Sequence, residues 1–275
     1  MLDAIAEVPI RQILEMPKEE RLQSKSHDIL LKWIGTDFKN GLISELHQKE
    51  GNRHPEKLAS LQGSLAAVID IFSQDFAGTG QGLAIESLLD KALFSTAEKD
   101  SVVNGLPNSK DVVRDHLYGA FSIVTFIDLA RKAGVAIRAL DIIAPATMDV
   151  KGKVDLILKF GERDQEGKEI VRVIQLKSHS SVINPEIFRA DDPNLDTHGQ
   201  VGPEHVRTLL ATVRQTHWIM GEQDTGNAVI RPFIVIVPGY ASESVRNCYG
   251  RITNTNSIDT FVYDAKAYGL LPDKK

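Results

Sequence analysis

A chain of 275 residues, 42% hydrophobic and 25% charged, has the balance of an ordinary soluble globular protein, long enough for one large domain or two smaller ones. Its formal net charge of −5 excludes a general nucleic-acid coat, so any polyanion binding must come from a local basic patch. Cys248 is the only cysteine, which excludes intrachain disulfides and Cys-rich zinc sites and fits a reducing, cytoplasmic setting.

Nothing in the sequence suggests a membrane span or a signal peptide. No run is apolar and long enough to span a bilayer, and MLDAIAEVPIRQILEMPKEER lacks the basic start and apolar core of a signal peptide.

Residues 1–77 read as a helical N-terminal region. Ile29, Leu30, Trp33 and Ile34 recur at helical spacing, as do Leu58, Leu61, Leu65, Val68, Ile69 and Phe72, and the break Gly51-Asn52-Arg53-His54-Pro55 separates the two runs. Trp33 and Phe72 suit a core better than a ligand-stacking role, and His27, His47 and His54 lack metal-ligand spacing. This region carries no chemistry of its own and is the candidate surface for a protein partner. Gly78-Thr79-Gly80-Gln81-Gly82 then marks a boundary or hinge, leaving 78–275 as the second unit.

Helices are expected over Leu83 to about Phe94 and over Asp111–Ala133, the second stopped by Gly134. Within the first, Glu86 is an acid in an otherwise apolar stretch, an expensive position without a partner. Asp115, near the start of the second, is explained by the helix dipole. Val135–Ile143 reads as a strand.

The stretch from Val150 to Ser181 holds the chemistry. Lys153–Phe160 and Glu169–Lys177 alternate around a polar loop and read as a β-hairpin. Asp155 stands beside the apolar run of the first strand. Gln175 and Lys177, two apart, leave the same face of the second. An acid facing an amide oxygen and an ammonium can hold a divalent cation with the lysine next to whatever that cation binds. Each residue alone has a plain explanation: a strand-start acid, a solvent-facing amide, a gatekeeper charge at a strand end. Their joint placement points to a site.

Beyond the hairpin, His179, His205 and His217 suit structural or surface roles better than chemical ones. Arg189–Gly202 reads as a surface loop near the hairpin, placed to act as a flap. A helix is expected from Pro203 to about Met220, with Arg207, Ala211, Arg214 and Trp218 on one face. Two arginines and an aromatic there suit a phosphate backbone and a base, and equally a solvated face with a half-buried Trp. Ala228–Pro238 has the near-continuous apolar run of a buried central strand. Ser242–Ile252 reads as a helix and Thr260–Tyr263 as a short strand.

Asp155 and Gln175-Leu176-Lys177 resemble the signature of the PD-(D/E)XK nuclease superfamily, an acid on one strand followed by an acid or amide two residues before a lysine on the next. Gln175 stands where Glu or Asp is more usual, and no Pro precedes Asp155. The resemblance spans roughly residues 115–239. It implies an α/β fold with a restriction-endonuclease-like αβββαβ core, a mixed sheet flanked by helices. It also implies an endonuclease or exonuclease that hydrolyses phosphodiester bonds of DNA with Mg²⁺ or Mn²⁺. Asp155 and Gln175 would be metal ligands, Lys177 would orient the attacking water, and a helix acid would complete the set, Glu86 or in its place Asp115. Arg207, Arg214 and Trp218 would meet the nucleic acid. The competing expectation is a catalytically inactive nuclease-like module that binds a protein through its N-terminal helices. A third is an unrelated α/β domain that matches the hairpin by chance.

Overall fold

The computed structural model of the chain describes residues 8–46, 48, 54–91, 109–179, 181–192, 207, 211, 228–239, 242, 245 and 249–272. The fold is mixed α/β: a four-stranded sheet flanked by helices, behind a helical N-terminal region.

Among the described residues that region holds five α-helices and a π-helical turn, Ile34–Phe38, between the third and fourth. The α-helices are α1 (Val8–Glu15), α2 (Lys18–Gln23), α3 (Ser26–Trp33), α4 (Lys39–Leu46) and α5 (Pro55–Phe76). Pro55 sits in the first turn of α5, where its missing N–H costs nothing. The 22 residues of α5 are buried on most sides, with Leu65, Val68, Ile69 and Phe72 fully enclosed. A helix apolar all round belongs inside a protein rather than on its surface. It packs chiefly against α7 (Ser109–Lys132), which follows α6 (Gly82–Asp90). Gly134, at φ 88°, closes the C-terminal end of α7 in a left-handed conformation open to glycine.

Two buried ion-pair knots hold α5 in place. Arg21 of α2 grips Asp75 with two hydrogen bonds of 2.7 Å, and His27 of α3 meets the same carboxylate at 2.9 Å. Burial alone would raise the Asp75 pKa, but these cationic and hydrogen-bonding partners outweigh it and hold the carboxyl below its ordinary value. One turn earlier, Asp70 receives two bonds from Arg131 of α7, at 2.6 and 3.0 Å, and one from the Ala139 N–H at 2.9 Å. Arg131 also donates to the Ile137 carbonyl, so this knot fixes the backbone leaving α7.

That backbone corrects the strand expected over Val135–Ile143. Residues 135–138 are irregular, and Ala139–Ile142 form a short helix, α8, with Arg138 paired to Asp141 on its surface. Ile143 alone makes a β-bridge, to Leu156. The Asp70 carboxylate binds the Ala139 N–H, which a strand there would need for a ladder. A further helix, α9 (Ala146–Gly152), leads into the hairpin.

The hairpin is present as β1 (Leu156–Arg163) antiparallel to β2 (Glu169–His179). Its loop is tied by the Asp164 carboxylate, which accepts from the Glu166 and Lys168 N–H groups, and turns at Gly167 with φ 79°. β4 (Ala228–Pro238) runs parallel to β2, and β3 (Glu186–Arg189) pairs antiparallel with β4 at the edge, giving the order β1-β2-β4-β3. Successive β4 residues alternate between two buried clusters, Phe233, Val235 and Val237 in the larger, Ile234 and Ile236 in the smaller. The larger cluster is continuous from Ile10 through α5 and α7 to Leu271.

Two further expectations are corrected near the C-terminus. Thr260–Tyr263 lies inside a helix, α10 (Thr255–Ala267), capped by Asn254, whose side chain accepts from the Ser257 N–H. Ser257, Phe261 and Ala265 are buried at a spacing of four, so helical periodicity overrides the strand preference of Thr-Phe-Val-Tyr. Of the helix expected over Ser242–Ile252, the described residues 242, 245 and 249–252 are not helical, and Val245 bridges to Ile252. The helix expected over Pro203–Met220 falls largely outside the described residues, where Arg207 and Ala211 are helical, as does most of the loop Arg189–Gly202. No helix among the described residues is long and apolar enough to cross a membrane.

Candidate functional site

Asp155 is the last residue before β1. Leu156 pairs with Ile174, so continuing the register by one residue sets Asp155 opposite Gln175, and directly opposed residues on antiparallel strands share a face. The Asp155 N–H donates to the Ile174 carbonyl at 2.9 Å, and its own carbonyl accepts from Ala144 at 2.9 Å. Its backbone is therefore pinned on both sides. One carboxylate oxygen accepts from the Leu176 N–H at 2.6 Å, which aims the group at β2 between Gln175 and Lys177.

These three residues line one cavity of about 550 Å³. Gln175 is 2% exposed, and no described residue donates to its buried side-chain oxygen Oε1. An unsatisfied buried acceptor costs about 1–3 kcal/mol and calls for an explanation, such as an ion. Lys177 is half-buried beside it.

The structure adds two charged residues that the sequence analysis passed over, Asp149 and Lys153, both lining the same cavity. Helix α9 delivers them: Asp149 sits within it, and Lys153 caps its C-terminal end at φ 54°, ψ 36°. A left-handed backbone is rare for a residue with a side chain and costs about 1–3 kcal/mol, and such outliers gather at functional sites. Their signal in the sequence was the spacing of Asp149 and Lys153 within six residues of Asp155, hidden because Ala144–Val150 reads as a turn into the hairpin rather than as the helix it forms from Ala146.

The electrostatics follow from this crowding. Burial, and after it the nearby Asp149 charge, raise the Asp155 pKa to about 7, against the Leu176 N–H and the ammonium groups of Lys177 and Lys153. Burial also raises the Asp149 pKa, opposed by Lys153 and Lys177. The cavity thus sets two acids raised chiefly by burial beside two lysines that oppose the shift and a buried amide oxygen without a partner among the described residues.

The remaining candidates are not brought to the cavity. Glu86 lies partly buried on α6, where burial raises its pKa and the Arg251 charge opposes that, and it is not among the cavity's lining residues. The side chain of Asp115 lies outside the described residues, as do Arg214 and Trp218, while Arg207 is exposed. His179 is exposed at the end of β2, and His205 and His217 lie outside the described residues. The far wall of the cavity comes from the N-terminal region, through Pro55, Leu58, Ala59 and Gln62 of α5, together with Tyr118 and its neighbours on α7. Nothing in the sequence of that region marks it as part of a site.

Among the described residues, no group of three or more His, Cys, Asp or Glu side chains could hold a metal ion. The donors available are the Asp155 and Asp149 carboxylates and Gln175 Oε1. All are hard oxygens, a set suited to Mg²⁺ or Mn²⁺ and unsuited to softer metals. Set against known protein families, curated proteins and solved structures, the chain matches none.

Proposed function

We propose that this protein is a hydrolase of the PD-(D/E)XK nuclease kind, with a restriction-endonuclease-like core, cutting phosphodiester bonds of DNA with Mg²⁺ or Mn²⁺. The observation that carries the reading is the meeting of Asp155, Gln175 and Lys177 along one cavity, with the buried Gln175 Oε1 unpartnered among the described residues. The order α7, α8, α9, β1, β2, β3, β4, in which a helix precedes a hairpin with β1 antiparallel and β4 parallel to β2, supports it. Asp155, Asp149 and Gln175 would hold the cation. When bound, the cation supplies charge stabilisation at phosphorus and lowers the pKa of water.

The chain's own residues do the rest. The Leu176 N–H fixes the Asp155 carboxylate, so its oxygen needs no reorganisation when a cation arrives. Lys177 offers its ammonium to a phosphate oxygen and orients the attacking water. Lys153 supplies a second positive charge at the cavity and opposes the burial that raises the Asp149 pKa, which favours the ionised carboxylate that a cation needs. The exposed Arg207 is the described residue that would meet the backbone of the DNA outside the cavity.

Full-length protein given Mg²⁺ or Mn²⁺ should degrade DNA, and chelation should stop it. Lys177→Ala should retain the fold by circular dichroism and lose at least about a hundredfold in rate, the usual scale for removing one transition-state charge partner. Wild-type protein that leaves single- and double-stranded DNA untouched with both cations would reject the reading. A second reading, a non-catalytic nuclease-like module that binds a protein, draws on the sparse donor set of two carboxylates and one amide. It predicts no cation binding at all.

A further inference from the structure

The cavity that holds Asp155, Gln175 and Lys177 has an uncharged side. Leu58 and Ala59 of α5 and Tyr118 and Ile123 of α7 face the charged residues across it. Leu58 is 9% and Ile123 4% exposed, so this wall is part of the core rather than a loose cover. The helix that carries it cannot easily retreat. Asp70 and Asp75 anchor α5 through Arg131 and Arg21, and α5 meets α7 so closely that a Cβ on Gly119 would come within 2.5 Å of the Gln62 side chain. A volume of about 550 Å³ is in the ~300–1,000 Å³ class of small-molecule sites. One nucleotide fits that scale, with its phosphate on the charged side and its base on the carbon wall.

Building on the hydrolase reading above, we propose that the site takes the free end of a single DNA strand and removes one nucleotide at a time. In each step water adds to the terminal phosphorus, the bond from phosphorus to the adjoining nucleotide's oxygen breaks, and that oxygen leaves protonated. Tyr118 and Leu58 hold the terminal base, and stacking of this kind tolerates every base because each has a π face.

The test offers full-length protein with Mn²⁺ three substrates: a linear single-stranded oligonucleotide, the same sequence closed into a circle, and a covalently closed duplex circle. The linear strand should shorten stepwise and release mononucleotides while both circles persist. Circles opened as fast as the linear strand is consumed would overturn the end-specific proposal and leave the hydrolase reading standing. No cleavage of any substrate would remove both. Two variants probe the wall. Ala59→Trp should fill the cavity and cut the rate on the linear strand at least tenfold while Mn²⁺ binding is unchanged, and Tyr118→Ala should raise KM about tenfold with little change in kcat. Wild-type kinetics in both variants would also overturn the proposal.

Discussion

A buried carboxylate beside a second carboxylate is costly to ionise, and Asp155 is placed in that position. Its pKa is raised to about 7, so between roughly pH 4 and 7 the folded chain holds a proton that the unfolded chain releases. The stability this provides is complete below the unfolded pKa and is lost as pH rises through 7. Asp155→Asn keeps an oxygen for the Leu176 N–H and removes the titration. In chelator, the variant should match wild type near pH 4 and exceed it near pH 8 by on the order of 2–4 kcal/mol in urea denaturation. Added Mn²⁺ should narrow or reverse the gap, since a ligand bound to the folded state alone stabilises it by mass action. An equal gap at both pH values would show that Asp155 does not titrate as its surroundings require. Gln175 makes a companion case. Gln175→Leu removes an orphaned buried acceptor, so stability should hold or rise by about 1 kcal/mol while Mn²⁺ affinity falls. A loss above about 2 kcal/mol would show that the amide is satisfied within the folded chain.

At the scale of elements, the Asp70 knot sets where α8 begins, and α9, which follows it, delivers Asp149 and Lys153. Asp70→Ala leaves Arg131 without its carboxylate and frees the Ala139 N–H, so it should cost about 3–5 kcal/mol by denaturant unfolding. A cost under 1 kcal/mol would mean the knot is not structural. The same elements show what the sequence could and could not convey. The hairpin was legible because Lys153–Phe160 and Glu169–Lys177 alternate around a loop with its own turn chemistry, and strand alternation fixed Gln175 and Lys177 on one face. Val135–Ile143 misled because its short apolar run carries no sign of the Asp70 carboxylate, 69 residues away, that binds its Ala139 N–H. β3 was missed because Glu186–Arg189 is a four-residue edge segment paired only to β4. Glu86 was favoured for sitting in an apolar stretch, yet Leu83 and Leu88 around it are 77% and 48% exposed, so that apolar setting is surface rather than core.

Across the whole molecule, the N-terminal helices and the sheet share one continuous buried cluster, and α5 supplies a wall of the cavity whose other side is the hairpin. Sequence periodicity identified α5 as a buried helix but held no information about which surface it would cover. Every charged group of the site comes from the 29 positions from Asp149 to Lys177, whereas its shape depends on residues 55–62 and 118–123. The central claim is that this cavity is a cation site built from Asp155, Asp149 and Gln175. Titration of Mn²⁺ into metal-free full-length protein, followed by electron paramagnetic resonance, tests it most directly. One saturable site is predicted in wild type, weaker below pH 7 as the carboxylates take up protons, and lost in Asp155→Ala. No saturable Mn²⁺ binding by the wild-type chain, or equal binding by Asp155→Ala, would contradict the account.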